Sequence, residues 1–355
     1  MGMKHDFPRS TLFPFYEFVM VLLKDRQYWI DAVRSFACIC VLMTHSPIPS
    51  TVEGRIFIPA YNFCAVGGAS ILFFMISGAL VLYKRQEFFS FIKKRISRIV
   101  LPMVIWTIVS LIVACLEGKL EWNEMLDKIW MIPFAPQVST YWFIYVIFGI
   151  YLLTPIISTW LANTGRREVE VMLLFWACTL LFPFIQSENI LRMKSFDGGC
   201  FYYFYGYLGF AVLGYYLRKY VNFERCTWRL AVTPFIIIAC TMAIYPTNLI
   251  SHAVLQDRLA LPAVLLAFCY FLFLKHIPIS NVLKKCVYQF AQHSFGIYLV
   301  HILVMRSFLW PIFEPLHINH AIAIPLITFL TALLSFIIVW GIGKVVPFSK
   351  YIVGV

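Results

Sequence analysis

Charge is scarce in this chain. Asp, Glu, Lys and Arg together make up 13% of its 355 residues, where soluble domains carry about 25%. Hydrophobic residues reach 61% and the mean hydropathy is +0.80, so a water-soluble globular protein is excluded. Ten-residue alternating strands are missing too, which excludes a porin-like barrel. The ten cysteines include no CxxC pair, and no Cys/His spacing suits zinc. No zinc site is therefore expected. Most cysteines (Cys38, Cys40, Cys115, Cys178, Cys240, Cys269) sit inside apolar runs as small membrane residues. Cys64 and Cys200 fall near the ends of such runs, which leaves a disulfide between them open. Internal repeats, low-complexity tracts and an extended soluble domain are all absent. Whatever this protein does, a membrane bundle must do it.

Runs without charge mark the spans. They read Val66–Tyr83, Ile99–Leu116, Val138–Ala162, Val171–Ser187, Gly198–Leu217, Leu230–Ile250, Leu259–Leu274 and Ile318–Gly343. Tyr28–His45 and Val287–Phe308 are apolar but carry polar groups. The expected fold is all-α, a polytopic bundle of about ten transmembrane helices. Pro133 and Pro136 should break the charge-free stretch ahead of the fourth span into a re-entrant or interfacial piece. Lys and Arg alternate between connections, twenty-one on one side against seven on the other, which predicts cytoplasmic termini by the positive-inside rule. Thr11–Leu23 is too short to span, and its basic residues Lys24 and Arg26 follow it, so it reads as an interfacial helix and not a signal peptide. The chain thus divides into an N-terminal cytoplasmic or interfacial segment (1–27), a membrane domain (28–345) and a cytoplasmic tail (346–355).

Ionisable groups inside a span are costly and mark function by default. The first span holds three, Asp31, Arg34 and His45. Arg34 and His45 are eleven residues apart, which puts them on one face and ~16 Å apart along the axis. Asp31 and Arg34 at i, i+3 also read as a simple pair at the helix start. In the ninth span Ser294, Tyr298 and His301 lie at i, i+4, i+7, one polar stripe on an apolar helix. Such a stripe serves helix packing as readily as chemistry. Two intramembrane histidines also suit haem, although cytochromes of that kind use more of them. Lys84 to Arg98 is the densest basic cluster. Arg95 and Arg98 run straight into the third span at i, i+3 and present a clamp for phosphate, beside the topological role any such arginine has.

These motifs, in this order, resemble the acyltransferase-3 family of bacterial inner-membrane O-acyltransferases. Arg34 followed by ten residues and His45 resembles the family's first-span signature, and Phe73-Phe74-Met75-Ile76-Ser77-Gly78 its second-span element. Arg95-Ile96-Ser97-Arg98 before Leu101-Pro102 resembles its RxxR element. Tyr141-Trp142-Phe143 with Tyr151 and Pro155, and Ser294, Tyr298 and His301, complete the match. Within the family the chain most resembles the enterobacterial common antigen O-acetyltransferase type.

The resemblance implies transfer of an acyl group, usually acetyl from acetyl-CoA as co-substrate, to a sugar hydroxyl of a cell-surface polysaccharide or its lipid-linked precursor, with no metal or redox cofactor. It implies Arg95 and Arg98 as donor-binding residues, with Arg34 holding the donor further along its path. His45 becomes the group that activates the hydroxyl or carries the acyl group. Ser77, Trp142, Ser294, Tyr298 and His301 are possible supporting residues. The partners are then acyl-CoA, a glycan or lipid-linked sugar acceptor and membrane lipid, with no nucleic acid, in the bacterial inner membrane. The rival reading is a transporter or flippase of a lipid-linked saccharide without acyl transfer. It shares the spans and the aromatic helices (Phe201-Tyr202-Tyr203-Phe204-Tyr205), but an internal repeat would be its usual signature.

Overall fold

Apolar segments of this length satisfy their backbone polar groups only within themselves, so each long element is helical. The computed structural model describes residues 27–48, 57–187, 198–221, 227–247, 250 and 252–354, and no strand occurs among them. The principal helices are α1 (Tyr28–His45), α2 (Phe57–Gly68), α3 (Ser70–Val81), α4 (Phe88–Arg95), α5 (Leu101–Leu116), α6 (Trp122–Met131) and α7 (Trp142–Ala162). There follow α8 (Arg166–Thr179), α9 (Leu208–Tyr220), α10 (Thr227–Ile244), α11 (Leu261–His276), α12 (Asn281–Val304) and α13 (His320–Val345). Six stretches among the described residues are long and apolar enough to cross a membrane. They are Ile58–Val81, Phe88–Leu116, Ser139–Ala162, Arg166–Gln186, Asn281–Leu316 and His320–Val345. Two shorter apolar helices, Ala231–Thr247 and Leu261–His276, accompany them. The expected interfacial helix Thr11–Leu23 lies outside the described residues.

Several boundaries differ from the apolar runs, each for a local reason. The second span starts earlier than Val66, because the polar Tyr61 finds a partner in the Thr328 hydroxyl at 2.8 Å. The run Gly198–Leu217 is not one helix. Gly198, Gly199 and Gly206 take positive φ, so the chain makes a short 3₁₀ stretch (Gly199–Phe204) before α9 begins. Pro183 stops α8 short and opens a separate turn, Phe182–Gln186. α12 begins at Asn281, six residues before the apolar run, since the Ser280 hydroxyl caps it by accepting from the Leu283 N–H. Pro133 and Pro136 do separate α6 from α7, and Tyr145 ties the break by donating to the Ile132 and Ala135 carbonyls. Cys64 and Cys200 are free thiols.

Helix directions follow from the cross-contacts. The Ser35 hydroxyl donates to the Val287 carbonyl at 3.1 Å and the Cys38 thiol to the Ser294 carbonyl at 3.6 Å. His45 lies beside His301. Partner numbers rise together, so α1 and α12 run parallel. α3 and α7 are parallel too, through Phe74–Phe143, Ser77–Tyr151 and the Gln86 N–H on the Ser158 hydroxyl. α13 returns the other way: Thr328 meets Ser46 at the His45 end, while Val339 rests on Gly296. One end of the bundle gathers Lys84, Arg85, Lys93, Lys94, Lys284, Lys285 and Lys344, and the histidines lie toward the other. After α13 the chain folds back: the Trp106 indole donates to the Ile352 carbonyl at 2.9 Å and Val353 is fully buried.

Two helices carry a π turn, at Ile96–Val100 and Met305–Leu309. In both, a proline (Pro102, Pro311) stands two residues beyond the last π residue. Proline removes a helical N–H and crowds the carbonyl four residues back, and widening the turn relieves the crowding. One π turn lies between Arg95 and α5, the other directly follows the His301 turn.

α4 is set by its cap. The Glu87 carboxylate accepts from the Phe89 N–H at 3.1 Å and the Ser90 N–H at 2.7 Å. Hydrogen bonding from Ser90 and then from Phe89 holds this carboxyl below its ordinary range. A depressed carboxyl pKa contributes stability above the unfolded value and loses it as pH falls through the folded one. Acidification below the usual glutamate value of about 4.3 should therefore loosen α4. Faster amide exchange at Phe89 and Ser90, unmatched in α7, is the expected result.

Candidate functional site

The His45 and His301 rings lie with centroids 5.4 Å apart. Parallel packing of α1 on α12 brings these two rings together. His301 is fully buried, and its Nδ1 is 2.6 Å from the Tyr298 carbonyl oxygen. A carbonyl only accepts, so Nδ1 carries the proton, and in the neutral form of the ring Nε2 is then the acceptor. That Nε2 is buried with no hydrogen-bond partner. A buried acceptor left unmatched beside a second imidazole is a place for a proton donor.

The other residues of the ninth-span stripe have structural partners. The Tyr298 hydroxyl donates to the Thr140 carbonyl, and the Tyr141 hydroxyl donates to the Leu299 carbonyl at 2.6 Å. The two bonds cross and staple the start of α7 to α12. Tyr298 also packs on Phe143 and on His301, so the staple fixes the floor of the histidine pair. The Ser294 hydroxyl donates within its own helix to the Ala291 carbonyl at 2.8 Å, and its carbonyl receives Cys38. Ser294 is thus a packing residue for α1. Ser77 is half-buried, and its hydroxyl lies 3.2 Å from that of Tyr151.

Tyr151 leads to the basic end. Arg95 lies 4.8 Å from the ring centroids of both Phe91 and Tyr151, and its Nε–H is buried without a partner. Arg98 is exposed. The sequence placed both on one helix face, but the π turn between Ile96 and Val100 changes the register. One arginine is drawn in against two rings and the other stands outside. Arg34 is half-buried on the part of α1 nearer this end. Trp142 and Tyr151 are nine residues apart on α7, so the arginine level lies roughly 13 Å from the Trp142 level along that helix. Phe73, Phe74 and Phe143 fill the space between.

Arg258 is the residue that sequence reasoning missed. By sequence it is one of the seven basic residues on the less basic side, a matter of topology. In the structure its Cζ lies 4.8 Å from the Trp142 ring centroid, and it is within electrostatic reach of His45, Tyr207 and Tyr298. The available signal was an arginine set directly against an apolar helix, Leu259 onward. Among the described residues no group of three or more His, Cys, Asp or Glu side chains could hold a metal.

A family model described as an acyltransferase domain, the third of that name, matches residues 27–342. No curated protein matches the chain. No solved structure matches it.

Proposed function

The chain belongs to the acyltransferase-3 family, and on that premise we propose that it moves acetyl from acetyl-CoA to a sugar hydroxyl of a cell-surface polysaccharide or its lipid-linked precursor. That it is a membrane acyltransferase follows from the family and the apolar helices. The acetyl donor, the glycan acceptor, the bacterial inner membrane, ten spans with cytoplasmic termini and the common-antigen type are our finer reading.

The observation that carries this reading is the histidine pair. His301 Nε2 has no partner in the structure, and a His45 N–H turned toward it would leave the other His45 nitrogen basic. That is the arrangement a general base needs, with the base oriented by a third group. A hydroxyl meeting that nitrogen loses its proton as its oxygen attacks the thioester carbonyl. Thiolate leaves and takes the proton back. In this reading Arg95 and Arg98 receive the phosphates of CoA at the basic end by charge-assisted hydrogen bonds. Arg34 holds the donor on its way inward, and the pantetheine arm covers the distance to His45. Ser77 and Tyr298, whose hydroxyls are already engaged, support the walls instead of the reacting oxygen.

Acetyl-CoA binding to detergent-purified protein tests the donor half. Arg95→Ala should weaken binding by about 10- to 100-fold, the effect of one lost charge-assisted bond from a partly buried group. Arg98→Ala should cost less and mainly flatten the salt dependence, because an exposed charge is screened. Folded wild type that binds no acetyl-CoA would reject the reading and restore the saccharide transporter.

A further inference from the structure

Among the described residues two buried arginine Nε–H groups have no hydrogen-bond partner, one at each end of the bundle. Arg95 sits where a phosphate-bearing donor would enter. Arg258 sits at the opposite end, on the face of Trp142 and within electrostatic reach of His45, and has no part in the reading above.

A guanidinium placed among apolar helices normally meets a carboxylate. Arg258 forms no ion pair among the described residues. Its neighbour Asp257 is engaged locally, its carboxylate accepting from the Leu259 N–H at 2.8 Å. What holds the guanidinium is the face of Trp142, and Trp142 opens α7, the helix stapled to α12 through Tyr141 and Tyr298. Position is thus fixed by stacking while the buried Nε–H stays unspent. A positive charge kept without a counter-charge among the described residues is preorganised for a negative charge that arises only during reaction.

We propose that Arg258 is a catalytic residue whose guanidinium stabilises the oxyanion formed when a hydroxyl attacks an acyl thioester beside His45. This rests on the acyl-transfer reading and adds to it the group that takes the developing charge. The steps balance as follows. The acceptor oxygen forms a C–O bond to the carbonyl carbon while its proton passes to the imidazole. The π electron pair moves onto the carbonyl oxygen, and the Arg258 guanidinium donates N–H hydrogen bonds to that oxyanion. Collapse re-forms the carbonyl and breaks the C–S bond, and the imidazolium proton goes to the departing thiolate. The products are an ester and a thiol.

The test is steady-state transfer from acetyl-CoA to octyl glucoside, used as the hydroxyl probe, by wild type, Arg258→Gln and Arg258→Lys. Calorimetric acetyl-CoA binding and thermal unfolding are measured on each. The expected result is a fall in kcat of about 10²- to 10³-fold in Arg258→Gln, with both KM values and donor affinity within about threefold of wild type. Lysine keeps the charge but not the planar donors and should recover part of the loss. Unchanged kcat in both variants, or a loss confined to the KM of the acceptor, would overturn the assignment while leaving acyl transfer standing. A variant that unfolds is set aside in favour of the other, since either substitution alone decides the kcat question. Wild type that binds acetyl-CoA but transfers nothing to the probe would remove the acetyl-to-sugar reading, and this inference with it.

Discussion

His45→Ala should lower acyl transfer by about 10²- to 10⁴-fold, the usual worth of a positioned general base, and leave acetyl-CoA binding intact. The separation of effects is the point. On the proposed reading the donor's phosphates belong to Arg95 and Arg98, whose level is roughly 13 Å from the Trp142 level along α7. Truncating a half-buried imidazole at the far end of α1 should not disturb them. His301→Gln should produce a smaller loss in kcat, because on the proposed reading His301 acts only through His45. The same variants decide whether His45 is a base or a carrier. A carrier releases one equivalent of CoA thiol from acetyl-CoA before any hydroxyl acceptor is added, and mass spectrometry then finds acetyl on the peptide containing His45. A base releases none. Full transfer by a folded His45→Ala protein would end both versions.

Much of this site was legible in the residues. The eleven-residue spacing put Arg34 and His45 on one face of α1, and the i, i+4, i+7 stripe put Ser294, Tyr298 and His301 on one face of α12. Membrane energetics gives such polar groups meaning because lipid cannot solvate them. What spacing does not carry is which faces meet. The contact of His45 with His301 depends on the parallel packing of α1 and α12, fixed by Ser35 and Cys38 donating to carbonyls of the partner helix. Periodicity also assumed a uniform α-helix. Arg95 and Arg98 part company because a π turn intervenes, although Pro102 was there to signal it. Arg258 escaped because a lone arginine beside a span is explained equally well by topology, and only the ring of Trp142 against it distinguishes the two.

Gly78→Val should be the most destabilising single change, and the reason lies in how α3 meets α9. These helices run parallel, with Tyr207 beside Phe74 at one end and Arg218 donating to the Ala79 carbonyl at the other. A Cβ added at Gly78 would overlap the Ala211 backbone, and one added at Gly214 would overlap the Met75 carbonyl. Each helix thus offers a glycine to the other's main chain, the close approach that small residues permit in membranes. The obstructing atoms are backbone, so no side-chain rotamer can give way. Relief requires α3 and α9 to move apart. That motion takes Phe74 from Phe143 and Phe210, and Ser77 from Tyr151. The cost should be about 3 kcal/mol, at the upper end for an overpacked core, read as a lower unfolding temperature in detergent and a poorer yield of monodisperse protein. Gly341 supplies the control. It also lies inside a helix, but an added Cβ there meets nothing within 4 Å, and alanine favours a helix over glycine by about 1 kcal/mol. Gly341→Ala should therefore match or exceed wild type. Equal unfolding temperatures for Gly78→Val and Gly341→Ala would mean that α3 and α9 do not pack through their backbones, and with that the placement of Ser77, Tyr151 and Arg95 would have to be redrawn.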